Sequence, residues 1–162
     1  MSAIGYRPYK EADLPFILES WITSFFDAHA AGIINSEDWH GIMYGQLTKI
    51  IKRPCSSVHV AYCPSEQSNL ADLYGWIAYE RRPGTPPIVH YVYVKWNYRK
   101  NGIAKNLFRE VGININENWI YTCKTAILQK LNLGHGKWFP MYARMPQSPP
   151  KFRPRLASKS NC

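Results

Sequence analysis

Apolar residues recur along this 162-residue chain with two periods. From Leu14 to Phe25, the residues Leu14, Ile17, Leu18, Trp21, Ile22 and Phe25 fall at the three- and four-residue spacing of a helix with one buried face. Pro15 stands in its first turn, where a missing N–H costs little. A second helix is predicted in NSEDWHGIMYGQLTKIIKR, with Ser36 as N-cap. Glu37 and Asp38 lie in its first turn and Lys49, Lys52 and Arg53 in its last, each sign favourable to the helix dipole. AIGYRP reads as a short first strand. SSVHVAYC, LADLYGWIAYE and IVHYVYVKW read as three successive antiparallel strands, separated by the turn-forming PSEQSN and RRPGTPP. Strict alternation along the last of them places Ile88, His90 and Val92 on one face and Val89, Tyr91 and Tyr93 on the other.

Helical spacing returns with Ile103, Leu107, Phe108 and Val111. NWIYTCKT then reads as a further strand, AILQKL as a short helix and GKWFPMYARM as a last strand. This order predicts an α+β fold, a mostly antiparallel central sheet flanked by helices. The length suits one domain, expected over residues 1–145, followed by a basic, Pro-rich tail over 146–162.

Composition adds three constraints. At 46% hydrophobic and 19% charged, with no apolar run of about eighteen residues, the chain has no membrane-spanning segment in prospect. MSAIGYRPYKEADLPF lacks the cationic start, apolar stretch and small-residue cleavage site of a secretory signal, so a cytoplasmic location is expected. Cys55, Cys63, Cys123 and Cys162 form no C-x-x-C pair and no His pattern accompanies them, which predicts reduced, mostly buried thiols and no metal site. Charge is distributed unevenly. Residues 1–117 carry 12 Lys or Arg against 11 Asp or Glu, whereas residues 118–162 carry 8 Lys or Arg and no acid. The tail cations Lys151, Arg153, Arg155 and Lys159 are therefore candidates for contact with nucleic acid or an acidic partner; the alternative is a solvated terminus.

The segment VYVKWNYRKNGIAKNLF carries the most chemistry. If Val92 and Val94 end a strand and a helix opens at Gly102, the first N–H groups of that helix have no intrahelical partner and lie at its positive dipole end. Such a place binds phosphate. Gly102 lets a bulky anion approach the main chain, and Arg99 and Lys100 add positive charge. There is no G-K-[ST] and no G-x-G-x-x-G, so neither the P-loop nor the dinucleotide-binding pattern applies.

VKWNYRKNGIA resembles the acetyl-CoA signature of the GNAT acyltransferases, a valine strand end followed by R/Q-x-x-G-x-G/A, with Arg99, Gly102 and Ala104 at the three signature positions. The order of elements over residues 3 to 131 is also similar to that family. The resemblance implies acetyl-CoA as co-substrate. It implies that the main chain of Arg99, Lys100, Asn101, Gly102, Ile103 and Ala104 holds the pyrophosphate, and that the main chain near Tyr93 and Val94 pairs with the pantetheine arm. Three departures stand out: Trp96 where proline is frequent, Ala104 where glycine is usual, and Gln129 but no tyrosine in TAILQKLNLG. A fold-level similarity to the DNA-modifying Mom proteins makes base modification an alternative, and a catalytically inactive binding module is another.

Acetyl transfer to an amine requires a group that takes a proton from the amine and a donor for the leaving thiolate. His90 lies nine residues before Arg99, an offset that resembles the strand histidine of serotonin N-acetyltransferase, and imidazole titrates near neutrality. Its alternative role is a packed, hydrogen-bonded structural residue. Glu80 is a second candidate base, or else a surface charge paired with Arg81 or Arg82. Tyr142, Tyr121 and Cys123 are candidate donors to the thiolate. Trp76, Tyr79, Tyr91, Tyr93 and Trp96 form either sheet packing or a groove for a flat acceptor.

Overall fold

In the computed structural model, residues 4–29, 31–64, 73–125, 127–128 and 135–139 are described. Six strands form one sheet in chain order: β1 (Gly5–Pro8), β2 (Ser56–Tyr62), β3 (Leu73–Glu80), β4 (Ile88–Val94), β5 (Trp119–Tyr121) and β6 (Gly136–Trp138). The first four run antiparallel, β5 joins β4 in parallel, and β6 joins β5 in parallel. Among the described residues, the helices that cover the sheet are α1 (Leu14–His29), α2 (Ser36–Ile51) and α3 (Ile103–Glu110). The tail, Tyr142 and Gln129 lie outside the described residues, as does most of AILQKL.

The helical stripes seen in the sequence meet the two sheet faces separately. Ile17, Leu18 and Trp21 of α1 and Met43 and Leu47 of α2 pack on Val58, Val60, Trp76 and Tyr91. Ile103, Leu107 and Phe108 of α3 pack on the other face, against Ile77, Val89, Val92, Val94 and Trp119. A side chain at Gly75 is excluded by the closeness of β3 and β4, since a Cβ there would stand 2.5 Å from the Tyr93 carbonyl oxygen. No helix among the described residues is long and apolar enough to cross a membrane.

Two local expectations are corrected. The N-cap of α2 is Asn35, whose side chain accepts from the Asp38 N–H at 2.8 Å; its backbone is extended, while Ser36 is already helical. The alternation expected along β4 is also broken. The β3–β4 register moves from Tyr79↔Val89 to Ala78↔Tyr91, so β4 carries one extra residue, His90, in a bulge. Val89, Val92 and Val94 consequently share the α3 face, while Tyr91 and Tyr93 lie on the α1 face. Cys55 is exposed and Cys63 half-buried, which leaves Cys123 as the buried thiol among the described cysteines.

Candidate functional site

β4 and β5 are paired only at Ile88 and Val89, and the Thr122 N–H donates to the Val89 carbonyl at 3.1 Å. β4 then runs on to Val94 without β5 beside it. On its other side, the Lys95 N–H donates to the Tyr74 carbonyl at 2.8 Å. Antiparallel alternation from that bond turns the main-chain groups of Tyr93 toward β3 and those of Val92 and Val94 toward the side that β5 has left. The open edge is thus formed by Val92 and Val94, with Tyr93 committed to the β3 ladder. The Val94 carbonyl already accepts the Arg99 Nε–H at 3.1 Å.

A single 3₁₀ turn, Trp96–Tyr98, leads from this edge into the glycine loop. Lys100 and Gly102 both take left-handed backbone, with φ of 69° and 74°. That geometry suits glycine at 102 and is unusual for the lysine at 100. α3 starts at the next residue. The N–H groups of Lys100 to Lys105 meet no hydrogen-bond acceptor among the described residues, and they sit at the positive end of α3. Lys100, Gly102 and Lys105 help to line an open cleft of about 720 Å³. Arg99 braces the loop, its guanidinium 4.9 Å from the Trp96 ring centre while Nε holds Val94. Tyr98 stacks on Tyr74 at 4.2 Å beneath the loop, and Trp96 is 77% exposed at the cleft margin.

His90 and Glu80 come together at the other end of the gap. The His90 Nε2 lies 3.0 Å from Glu80 Oε1 and its Nδ1 lies 3.1 Å from Thr122 Oγ1. Glu80 and His90 are both buried. Glu80 is no surface charge: Arg53 and Arg82 each donate to one of its oxygens at 2.9 Å, and Arg81 instead donates to the Val111 carbonyl. Burial pulls the Glu80 carboxyl upward, but the bonds from His90 and Arg53 outweigh it and bring it down to about 2. An ionised carboxylate only accepts, so His90 carries a hydrogen on Nε2. Burial pushes the Cys123 thiol and the Tyr91 hydroxyl up to about 12, which keeps both neutral near pH 7. Trp76 and Tyr91 belong to the core with Trp21, and Tyr93 is half-buried at its edge. Thr122 carries no signal in the sequence, because its importance comes only from standing where β4 and β5 part.

No protein-family model matches the chain, and no curated protein matches it in sequence. Among solved structures the fold is similar to YycN of Bacillus subtilis, a candidate acetyltransferase, at TM-score 0.55 and 18% identity, over 80% of this chain and 88% of that one. It is also similar to the PaiA N-acetyltransferase of Thermoplasma acidophilum in complex with coenzyme A, at TM-score 0.50 and 22% identity, over 67% of this chain and 69% of that one. A candidate GNAT-family acetyltransferase of Staphylococcus aureus matches at TM-score 0.50 and 12% identity, over 82% of this chain and 97% of that one. The chain has the GNAT fold.

Proposed function

We propose that the chain is an acyl-CoA-dependent N-acyltransferase that moves an acetyl group from acetyl-CoA to an amine. The observation that carries this reading is the row of N–H groups from Lys100 to Lys105, without an acceptor among the described residues and set at the start of α3 beside the open edge of β4. In this reading the loop amides, with Lys100 and Lys105, take the pyrophosphate. Val92 and Val94 offer main-chain groups to the amide arm, as an added strand would. Extended along β4, that arm brings the thioester toward the His90 bulge. There the acceptor nitrogen attacks the thioester carbonyl, the C–N bond forms, the C–S bond breaks and the thiolate leaves. His90 receives the proton lost by the amine. Glu80, held ionised by two arginines, is too weak a base for that step and instead orients and balances the imidazole. The donor to the thiolate is unassigned, Tyr142 remaining a candidate beyond the described residues.

A second reading, a CoA-binding module without turnover, is favoured by one observation: both ring nitrogens of His90 are already engaged inside the protein. Calorimetric titration with acetyl-CoA, with dephospho-CoA as comparator, tests the shared premise. A micromolar Kd, about −8 kcal/mol, is expected. Absence of binding up to millimolar acetyl-CoA overturns both readings. Binding without acetyl transfer to any member of an amine panel, small polyamines and lysine peptides included, selects the second.

A further inference from the structure

His90 has no direct route to an acceptor amine, since Nε2 faces Glu80 and Nδ1 faces Thr122. Thr122 sits at the apex of the gap, immediately after β5, and its N–H fixes it to β4. Besides the Cys123 thiol, its hydroxyl lies within reach of two partners, the His90 Nδ1 at 3.1 Å and the His90 carbonyl oxygen at 3.3 Å. That pair of partners matters because a hydroxyl rotates about its C–O bond and can donate in either direction. With neutral imidazole, the Thr122 O–H donates to the bare Nδ1. With imidazolium, Nδ1–H donates to Oγ1 and the hydroxyl hydrogen turns to the His90 carbonyl. Both arrangements keep the His90 Nδ1 and the Thr122 hydroxyl paired with each other.

We infer that Thr122 is a proton relay, its hydroxyl passing the proton of the acceptor amine from the β4–β5 gap to His90 Nδ1. The inference rests on the acyl-transfer reading above. In the step, the amine nitrogen gives its proton to Thr122 Oγ1 as the C–N bond forms, and the Thr122 hydroxyl hydrogen moves to Nδ1, so threonine ends as it began and His90 ends as imidazolium. Glu80 faces that cation at 3.0 Å, and Arg53 and Arg82 face Glu80. The neighbouring Cys123 and Tyr91 are neutral and add no charge. The chain Glu80, His90, Thr122 has the order carboxylate, imidazole, hydroxyl, in which the carboxylate fixes the ring and the hydroxyl faces the reacting group.

The test measures acetyl transfer to the amine panel and acetyl-CoA affinity in the full-length native chain, in Thr122→Val and in Thr122→Ser. Thr122→Val is expected to lower the transfer rate by about a hundredfold while acetyl-CoA affinity stays native, and Thr122→Ser, which keeps the hydroxyl, is expected to retain most of the native rate. Native transfer in Thr122→Val overturns the relay. An equal loss in Thr122→Ser, with native acetyl-CoA affinity, also overturns it, since the hydroxyl is then not what matters. Absence of acetyl-CoA binding or of transfer in the native chain overturns the acyl-transfer reading and the relay with it, whereas native transfer in Thr122→Val overturns the relay alone.

Discussion

Replacing Glu80 with glutamine isolates the buried charge cluster on which the candidate site is built. The carboxyl is buried and receives Arg53, Arg82 and His90 at 2.9, 2.9 and 3.0 Å. Lowered from 4.5 to about 2, it contributes about 3 kcal/mol of stability at neutral pH. The sign follows from the direction: a depressed carboxyl stabilises the folded state above its unfolded value of 4.5, and that contribution is lost as pH falls from there toward 2. Glu80→Gln keeps the shape and removes the charge, so two arginines and a histidine face a neutral amide. The expected loss at pH 7 is about 3 kcal/mol, in the range for breaking a buried ion pair by removing one partner. Urea unfolding at pH 7 and at pH 3 measures it. The two proteins should differ by the full amount at pH 7 and by clearly less at pH 3. Asp13, held below its usual range despite burial by the bond from Arg7, loses stability in both proteins alike and cancels in the comparison. A difference under about 0.5 kcal/mol at pH 7, the scale of an ordinary surface substitution, would refute the claim that a paired, ionised Glu80 anchors His90.

Other substitutions probe the strands and the loop. Gly75→Ala puts a methyl group 2.5 Å from the Tyr93 carbonyl, and urea unfolding should show a loss of about 2 kcal/mol or more as β3 and β4 are pushed apart. Lys100→Gly relieves left-handed backbone at φ 69° and should raise stability by about 1 kcal/mol in thermal unfolding, without a change in fold. Gly102→Arg forces a side chain into left-handed backbone at φ 74° with open space around its Cβ, so the domain should fold with a loss of about 1 kcal/mol. The same change should weaken acetyl-CoA binding at least tenfold in calorimetry, about 1.4 kcal/mol, because it obstructs the approach to the loop amides. Native affinity in that variant would remove the loop from the proposed cofactor site.

The sequence by itself determined the elements and their order. Apolar spacing fixes α1 and α3, a cap and end charges mark α2, and β-branched and aromatic runs fix β2, β3 and β4, because each of these signals is local to its element. It also marked the glycine loop, since positive φ at residue 102 and a helix start just after it are local demands that only a few residue types meet. The tertiary structure alone decided the rest. The bulge at His90 arises from β3–β4 register, a relation between strands that alternation along one strand does not contain, and it puts Val89 on the face of Val92 and Val94 instead of that of Tyr91 and Tyr93. Glu80 is a buried centre of charge because Arg53, 27 positions away, reaches it from the end of α2. Thr122 meets His90 only because a parallel strand ends beside an antiparallel one, 32 positions along the chain. Helix, strand and turn are read over a few residues; a charge cluster, a bulge and a gap between strands depend on which distant segments pack together.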